Sequence, residues 1–129
     1  MIFNRWKKLA LTDDLTNLYN RRYLKTIKRK RYKYLYFVDV NNLGKINKHI
    51  GFGAGDQILR YVAKLLVSKS SDKDIVCRIG GDEFIILSNF NINLENRQIK
   101  YACVELDSYP KINNAIQTAS KLCFNIKEK

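Results

Sequence analysis

The chain has 129 residues, 24 Lys and Arg against 12 Asp and Glu, and a formal charge of +12; this length suits one domain, residues 1–129, with a core of its own. Nothing in it approaches the ~20 consecutive apolar residues of a membrane span, and it opens on no leader sequence, so a cytoplasmic protein with no membrane partner is expected. Cys77, Cys103 and Cys123 lack C-x-x-C spacing and histidine neighbours, which reads as three buried, reduced thiols rather than a zinc centre or a disulfide frame.

Ile2–Leu11 has the periodicity of a short amphipathic helix with Phe3, Trp6 and Leu9/Ala10 on one side. A turn starts at Thr12 or Asp13, and a basic helix is expected over about Asn20–Arg31. The cations from Lys25 to Lys33 would attract any polyanion, but they also suit a solvated helix face, and a chain rich in Lys, Asn, Ile and Tyr has the composition that AT-rich codons produce. No basic strand studded with aromatics follows, so nucleic acid is not the expected partner. Lys33–Asp39 reads as a central strand, apolar on both faces. A turn over Asn41–Gly44, a solvent-facing His49 and a helix over about Ala54–Ser68 come next. Ile75–Arg78 and Glu83–Leu87 read as two strands of a hairpin, and Ile99–Asp107 as a further strand. Pro110 breaks the chain before a last helix, Asn113–Lys127, with Ile116, Ala119 and Phe124 inward. The order is that of an α+β, ferredoxin-like palm: an antiparallel sheet of about four to five strands with helices packed around it, on one face.

The hairpin tip carries the chemistry. Arg78-Ile79-Gly80-Gly81-Asp82-Glu83-Phe84 joins its strands through two glycines, which are expected to supply a positive φ and to let a nucleotide lie close over the turn. Two carboxylates, Asp82 and Glu83, follow. Forty-three residues earlier, Asp39 ends the apolar run Tyr34–Val38; either it caps the next turn, or its charge is paired, hydrated or bound to a cation. With strand and hairpin adjacent in one sheet, Asp39, Asp82 and Glu83 would converge. Three carboxylates repel one another and call for a divalent cation, and hard oxygen ligands favour Mg²⁺ or Mn²⁺ over zinc.

These residues resemble the GGDEF domain family, the diguanylate cyclases that join two GTP molecules into cyclic di-GMP. The resemblance rests on three blocks in order: Asp13–Arg22, with Asn17 where the family has glycine; Asp39–Asp56 without a gap; and Arg78–Phe84. It implies that Asp39, Asp82 and Glu83 are catalytic, and that Asp39, the Val40 carbonyl, Asp82 and Glu83 are the metal ligands, Glu83 being either a ligand or the base toward the attacking 3′-hydroxyl. It also implies substrate contacts at Asn42, Leu43 and Gly44 for the phosphates, at Gly80 and Gly81 under the nucleotide, at Asn47 and Asp56 for guanine, and at Lys127 for the triphosphate. The Asp56 carboxylate can accept from guanine N1–H and N2–H, whereas adenine presents a lone pair there; a carboxylate near a helix start is favoured by the dipole as well.

The departures from that pattern are Gly44 for a phosphate-binding lysine, Lys48 for an aspartate, Phe52 for a histidine, and the end of the chain before an arginine that would follow Lys127. Ser71 and Asp74 hold the ends of an R-x-x-D product-inhibition site that lacks its arginine, and the short connection to Ile99 implies a shortened or missing helix. Val38–Lys45 also resembles the turn of CRISPR-type cyclic-oligonucleotide polymerase palms. The expected function is therefore a GTP-dependent nucleotidyl cyclase requiring Mg²⁺ or Mn²⁺ and a homodimer for turnover. The alternatives are a CRISPR-polymerase-like cyclase using ATP, a degenerate module that binds GTP without turnover, and a nucleic-acid-binding palm.

Overall fold

The computed structural model describes residues 2–126. Its elements are α1 (Ile2–Leu11), β1 (Tyr19–Asn20), β2 (Tyr34–Val40), α2 (Leu43–His49), α3 (Phe52–Lys69), β3 (Ile75–Arg78), β4 (Glu83–Ser88), β5 (Ile99–Glu105) and α4 (Ile112–Phe124). The strands form one sheet in the order β1-β3-β4-β2-β5. Four of them are antiparallel to their neighbours, while the two-residue β1 joins β3 in parallel at the edge, Tyr19 opposite Cys77. The sheet is thus mixed rather than wholly antiparallel. The edge strand had no periodicity to announce it.

Alternation along β2 and β4 divides the core in two. Tyr36, Val38, Val40, Phe84 and Ile86 pack with Leu59, Val62, Ala63 and Leu66 of α3. Leu35, Phe37, Ile85 and Leu87 pack with Ala115, Ile116, Ala119 and Cys123 of α4. Helices therefore cover both faces of the sheet, not one. Since successive strand residues point to opposite faces, a strand apolar at every position requires cover on both sides. Each fully buried Leu, Ile or Phe here contributes about 1.5–3 kcal/mol relative to exposure.

Several local expectations change. The basic stretch is two short 3₁₀ turns, Arg21–Thr26 and Arg29–Arg31, instead of one helix. A continuous helix would stack like charges at i, i+3 and i+4, which destabilises it. The region expected as a turn after β2 is helical from Leu43 onward. His49 ends that helix and is exposed, and β5 stops at Glu105. α4 ends at Phe124, whose side chain is 81% exposed rather than inward. Cys103 is exposed on edge strand β5, whereas Cys77 and Cys123 are buried; all three are free thiols. On α1, Trp6 and Leu9 are exposed, and the side chain of Phe3 lies outside the described residues, as does Lys127.

Residues 89–98 connect β4 to β5 without a helix. They are held by Tyr36, whose hydroxyl donates to the Phe90 carbonyl at 2.9 Å and accepts from the Ile92 amide at 2.8 Å, and by the fully buried Leu94. Among the described residues no helix is long and apolar enough to cross a membrane.

Candidate functional site

β2 ends in the middle of the sheet, and its register with both neighbours places three charged residues in a row. Asp39 is opposite Glu83 on β4 and opposite Lys100 on β5. By alternation all three belong to the α4 face, with Phe37, Ile85 and Ala102 behind them. The Asp82 carbonyl accepts from the Val40 amide at 3.0 Å, which ties the hairpin tip to the end of β2. Asp82 thereby stands beside Asp39.

The electrostatics of this row are unfavourable as the protein stands. Burial, and then the charge of Asp82 and a hydrogen bond with it, push the Asp39 carboxyl up from 3.8 to about 7; Lys100 opposes the shift and Glu83 adds to it. Asp39 Oδ1 is buried with no hydrogen-bond partner. Buried polar atoms are nearly always satisfied, so an orphaned carboxylate oxygen calls for an explanation. Behind the row, burial raises the Cys123 thiol to about 11, with the nearby Asp39 charge adding to the shift.

The three carboxylates are neighbours, but they do not point at one centre. Among the described residues no three His, Cys, Asp or Glu side chains form a group able to hold a metal. Glu83 is folded back over Gly80: a Cβ built there would come within 2.5 Å of Glu83 Oε1. It lines a cleft of about 460 Å³ together with Arg21, Asn113, Gln117, Ser120 and Lys121. The Asp39–Asp82 pair, with hard oxygen donors and one orphaned oxygen, fits a hard divalent cation.

The hairpin tip is built differently from expectation. Gly51, at φ 113°, is the only positive-φ glycine among the described residues, so Gly80 and Gly81 supply no left-handed turn. Gly80 makes room for Glu83, and Gly81 is open above its α-carbon. The strands close through Ile79 and Gly80 amides donating to the Glu83 carbonyl at 2.9 and 3.3 Å. Arg78 braces the tip by donating to the Gly81 carbonyl at 2.8 Å and pairing with Asp13 at 3.1 Å. Burial opposes ionisation of Asp13, but the Thr16 hydroxyl and amide and the Arg78 guanidinium together hold its carboxyl below the usual range. In that N-terminal turn Asn17 adopts φ 62°. A left-handed residue there explains why asparagine can stand where the family has glycine.

At the other edge of the site, the chain turns after β2 through Asn41 and Asn42. Asn41 is 3% exposed; its amide group donates to the Arg97 carbonyl at 3.0 Å and its own N–H to the Gln98 carbonyl at 2.7 Å, anchoring the turn to the β4–β5 connection. Asn42 is left-handed at φ 60° and precedes α2. The Leu43 side chain is buried in the core, which leaves only its backbone to face a ligand, and Gly44 has nothing within 4 Å of its would-be Cβ. Asn47 of α2 lies in the space that the absent Cβ of Gly55 leaves on α3, and its Oδ1 is buried without a partner. Asp56 follows Gly55 directly and is half-buried. The fold thus brings Asn47 beside the α3 turn that carries Asp56.

Lys100 was not among the expected site residues, and Asn41 was expected only as part of the Asn41–Lys45 turn whose backbone could cradle phosphates. Lys100 sits in a strand with no motif, and only register reveals it. Asn41 was legible as a polar residue in the turn, but its role as an anchor depends on a partner 56 residues away.

The carboxylate of Asp74 accepts from the Ser71 amide at 2.9 Å, closing its own turn. The adjoining cleft of about 330 Å³ includes Asp72 and Asp74 but no cation.

A family profile described as diguanylate cyclase, GGDEF domain, matches residues 10–126. The chain is 38% identical over 104 residues to a diguanylate cyclase of Vibrio cholerae, covering 74% of this chain and 30% of the relative. It is 37% identical over 89 residues to the signaling protein YkoW of Bacillus subtilis, covering 62% and 11%, and 36% identical over 89 residues to the response regulator PleD of Caulobacter vibrioides, covering 62% and 20%. It therefore spans less than a third of the length of each of these relatives. Among solved structures, the coiled coil and GGDEF domain of DgcB from Caulobacter crescentus in complex with c-di-GMP superposes with a TM-score of 0.76 at 18% identity, covering 95% of this chain and 83% of that one.

Proposed function

The chain belongs to the GGDEF domain family, and from that premise we propose that it is a nucleotidyl cyclase joining two GTP molecules into cyclic di-GMP. The observation that carries this reading is the buried, unpartnered Asp39 Oδ1 beside Asp82, in a row with Glu83, at the tip of a Gly-Gly-Asp-Glu hairpin.

Asp39 and Asp82 would hold Mg²⁺ or Mn²⁺, with the Val40 carbonyl as a further ligand. Such an ion supplies charge neutralisation at the transferring phosphate and lowers the pKa of the attacking hydroxyl. Glu83, on the same face as Asp39, is free to turn off Gly80 toward the ion or toward a 3′-hydroxyl, from which it would accept the proton. Backbone amides at the start of α2, after the left-handed Asn42, would receive phosphate oxygens. Asn47 and Asp56 would read guanine: Asp56 accepts from N1–H and N2–H, and Asn47, whose Oδ1 lies buried against Gly55 without a partner, would supply a second polar group on turning toward the base. Lys100 supplies a cation from β5 near phosphate, in a chain that has Gly44 where the family has lysine.

One domain offers one set of these residues, and each 3′-hydroxyl must reach the other nucleotide's α-phosphate. Two copies facing one another across the site are therefore required, at least during turnover, in the GTP-containing cytoplasm. Incubating the protein with labelled GTP, or ATP, and Mg²⁺ or Mn²⁺, followed by mass analysis, tests the proposal. Cyclic di-GMP from GTP is the expected product. A product containing adenine favours the CRISPR-polymerase-like reading, and GTP binding without product favours a domain that binds without turnover.

A further inference from the structure

The first 3₁₀ turn and the start of α4 enclose a cleft of about 370 Å³ that contains none of the residues assigned above to the metal or to guanine. Four cations line it, Arg21, Lys25, Arg29 and Lys111, and no Asp or Glu does. Its walls include Leu24 and Ile112, both buried in the α4-side core, and the half-buried Ile27.

Two features distinguish this cleft from a solvated basic surface. Both arginines are held from behind: Arg21 Nε donates to the Ile79 carbonyl at 3.4 Å, and Arg29 Nη1 donates to the Leu106 carbonyl at 3.2 Å. Each anchor occupies one nitrogen and leaves the rest of the guanidinium fork for a ligand. Arg29 has a single carboxylate nearby, the 83%-exposed Asp107 at 3.8 Å, and an exposed pair at that distance contributes little. The second feature is α4 itself, 13 residues long, whose N-cap Lys111 provides no side-chain cap and whose first turn has no acid. The Asn114 and Ala115 amides are bonded to the Lys111 carbonyl. Ile112 and Asn113, which line the cleft, carry the first-turn amides that have no intrahelical acceptor. Held guanidinium groups, a helix start and two lysines converge on one concavity with apolar walls. An anion is what relieves their mutual repulsion.

We propose that this cleft is a second nucleotide-binding site, taking the phosphates of one nucleoside phosphate among Arg21, Arg29, Lys25, Lys111 and the α4 start, with the base against Leu24, Ile27 and Ile112. The volume, near the lower end of small-ligand pockets, suits a single nucleotide. The apolar walls carry no pattern of donors and acceptors that would select one base. The cleft shares Arg21 and Asn113 with the cleft that holds Glu83, so an occupant would lie next to the catalytic region without entering it.

The test is calorimetric titration of the full chain with ATP, and separately with inorganic pyrophosphate, in EDTA. Without metal there is no turnover, and binding at the catalytic site, which includes neither Lys25 nor Lys111, would not respond to their substitution, so the variant arms are independent of the cyclase assignment. Saturable binding of both ligands is expected, tighter for ATP because its base adds contact with the walls. The double variant Lys25→Glu/Lys111→Glu should weaken both by at least about tenfold, the scale of losing charge-assisted hydrogen bonds, while Lys64→Glu/Lys73→Glu, which lowers the net charge equally at exposed positions elsewhere, should change them by less than about twofold. Lys111→Gln, which adds no acid, should move affinity the same way to a smaller extent. Equal losses in the two double variants, or no saturable binding by the wild type, would overturn the proposal; circular dichroism confirms that each variant is folded.

Discussion

Asp39 on β2 and Lys100 on β5 stand directly opposite one another in the antiparallel register, with Glu83 facing Asp39 from β4. The half-buried Asp39 carboxyl therefore has a cation on one side and carboxylates on the other. Its pKa of about 7 shows that burial and the acids outweigh the lysine. The site is poorly balanced until another positive charge arrives.

This balance sets a pH dependence. A carboxyl raised from 3.8 to about 7 on folding binds its proton more tightly in the folded state, so its contribution to stability is full below about pH 4 and is lost as pH rises through about 7. In EDTA, the Asp39 contribution should therefore lower the melting temperature between pH 5 and pH 8. Asp39→Asn should flatten the decline, and Lys100→Ala should move the Asp39 titration to higher pH. Melting curves across pH for the three proteins and carboxyl NMR titration provide the measurement; a wild type whose stability rises steeply over that window without a matching change in Asp39→Asn contradicts the assignment.

Asp39→Asn or Asp82→Asn should abolish cyclic dinucleotide formation while leaving the fold intact. Each substitution removes a donor charge for the cation and relieves the repulsion between the two carboxylates. The metal-free melting temperature should hold or rise. Turnover retained by either variant speaks against the metal assignment.

GTP should outcompete ATP at the catalytic site in the presence of Mg²⁺. Asp56→Ala should narrow that preference to within about tenfold, because losing a hydrogen bond to a charged acceptor costs about 1.5–3 kcal/mol. Competition titrations with the two nucleotides measure it. Equal wild-type affinities would transfer the case to an adenine-using cyclase.

Gly80→Ala should lower turnover by about tenfold or more, since even small displacements of catalytic groups are costly, with little loss of stability. The new Cβ would stand 2.5 Å from Glu83 Oε1, and a flexible side chain can move where a backbone cannot. Wild-type turnover retained by Gly80→Ala would mean that the position of Glu83 over Gly80 is immaterial.

Cyclic di-GMP should not inhibit non-competitively through the Ser71–Asp74 turn. Gripping an anionic dinucleotide there needs an arginine fork, and Asp74 is engaged with the Ser71 amide in a cleft that holds two acids and no cation. Titrating product into the assay should give inhibition competitive with GTP or none. Strong non-competitive inhibition that disappears in Asp74→Ala is the result that sinks this expectation.

Local features of the sequence determined the hairpin, the central strand ending in Asp39, the two long helices and the candidate carboxylates. Each depends on spacing within a few residues, where periodicity and turn chemistry act directly. The family resemblance added Asn47 and Asp56, and the fold brought Asn47 against Gly55 for a steric reason that no spacing rule contains. Tertiary structure alone decided the rest. Lys100 is a member of the row because β5 pairs with β2 in one particular register, a choice made by packing on both faces of the sheet. The left-handed residues are Asn17 and Asn42 rather than the hairpin glycines, because the close approach of Glu83, and not a positive φ, requires Gly80. The charges between Lys25 and Lys33 gave way to 3₁₀ turns, and Phe124 faces water because α4 buries the face bearing Ile116, Ala119 and Cys123. Short-range patterns state which residues can form an element. Which face meets a partner, and what stands across from a charge, depends on residues far apart in the chain.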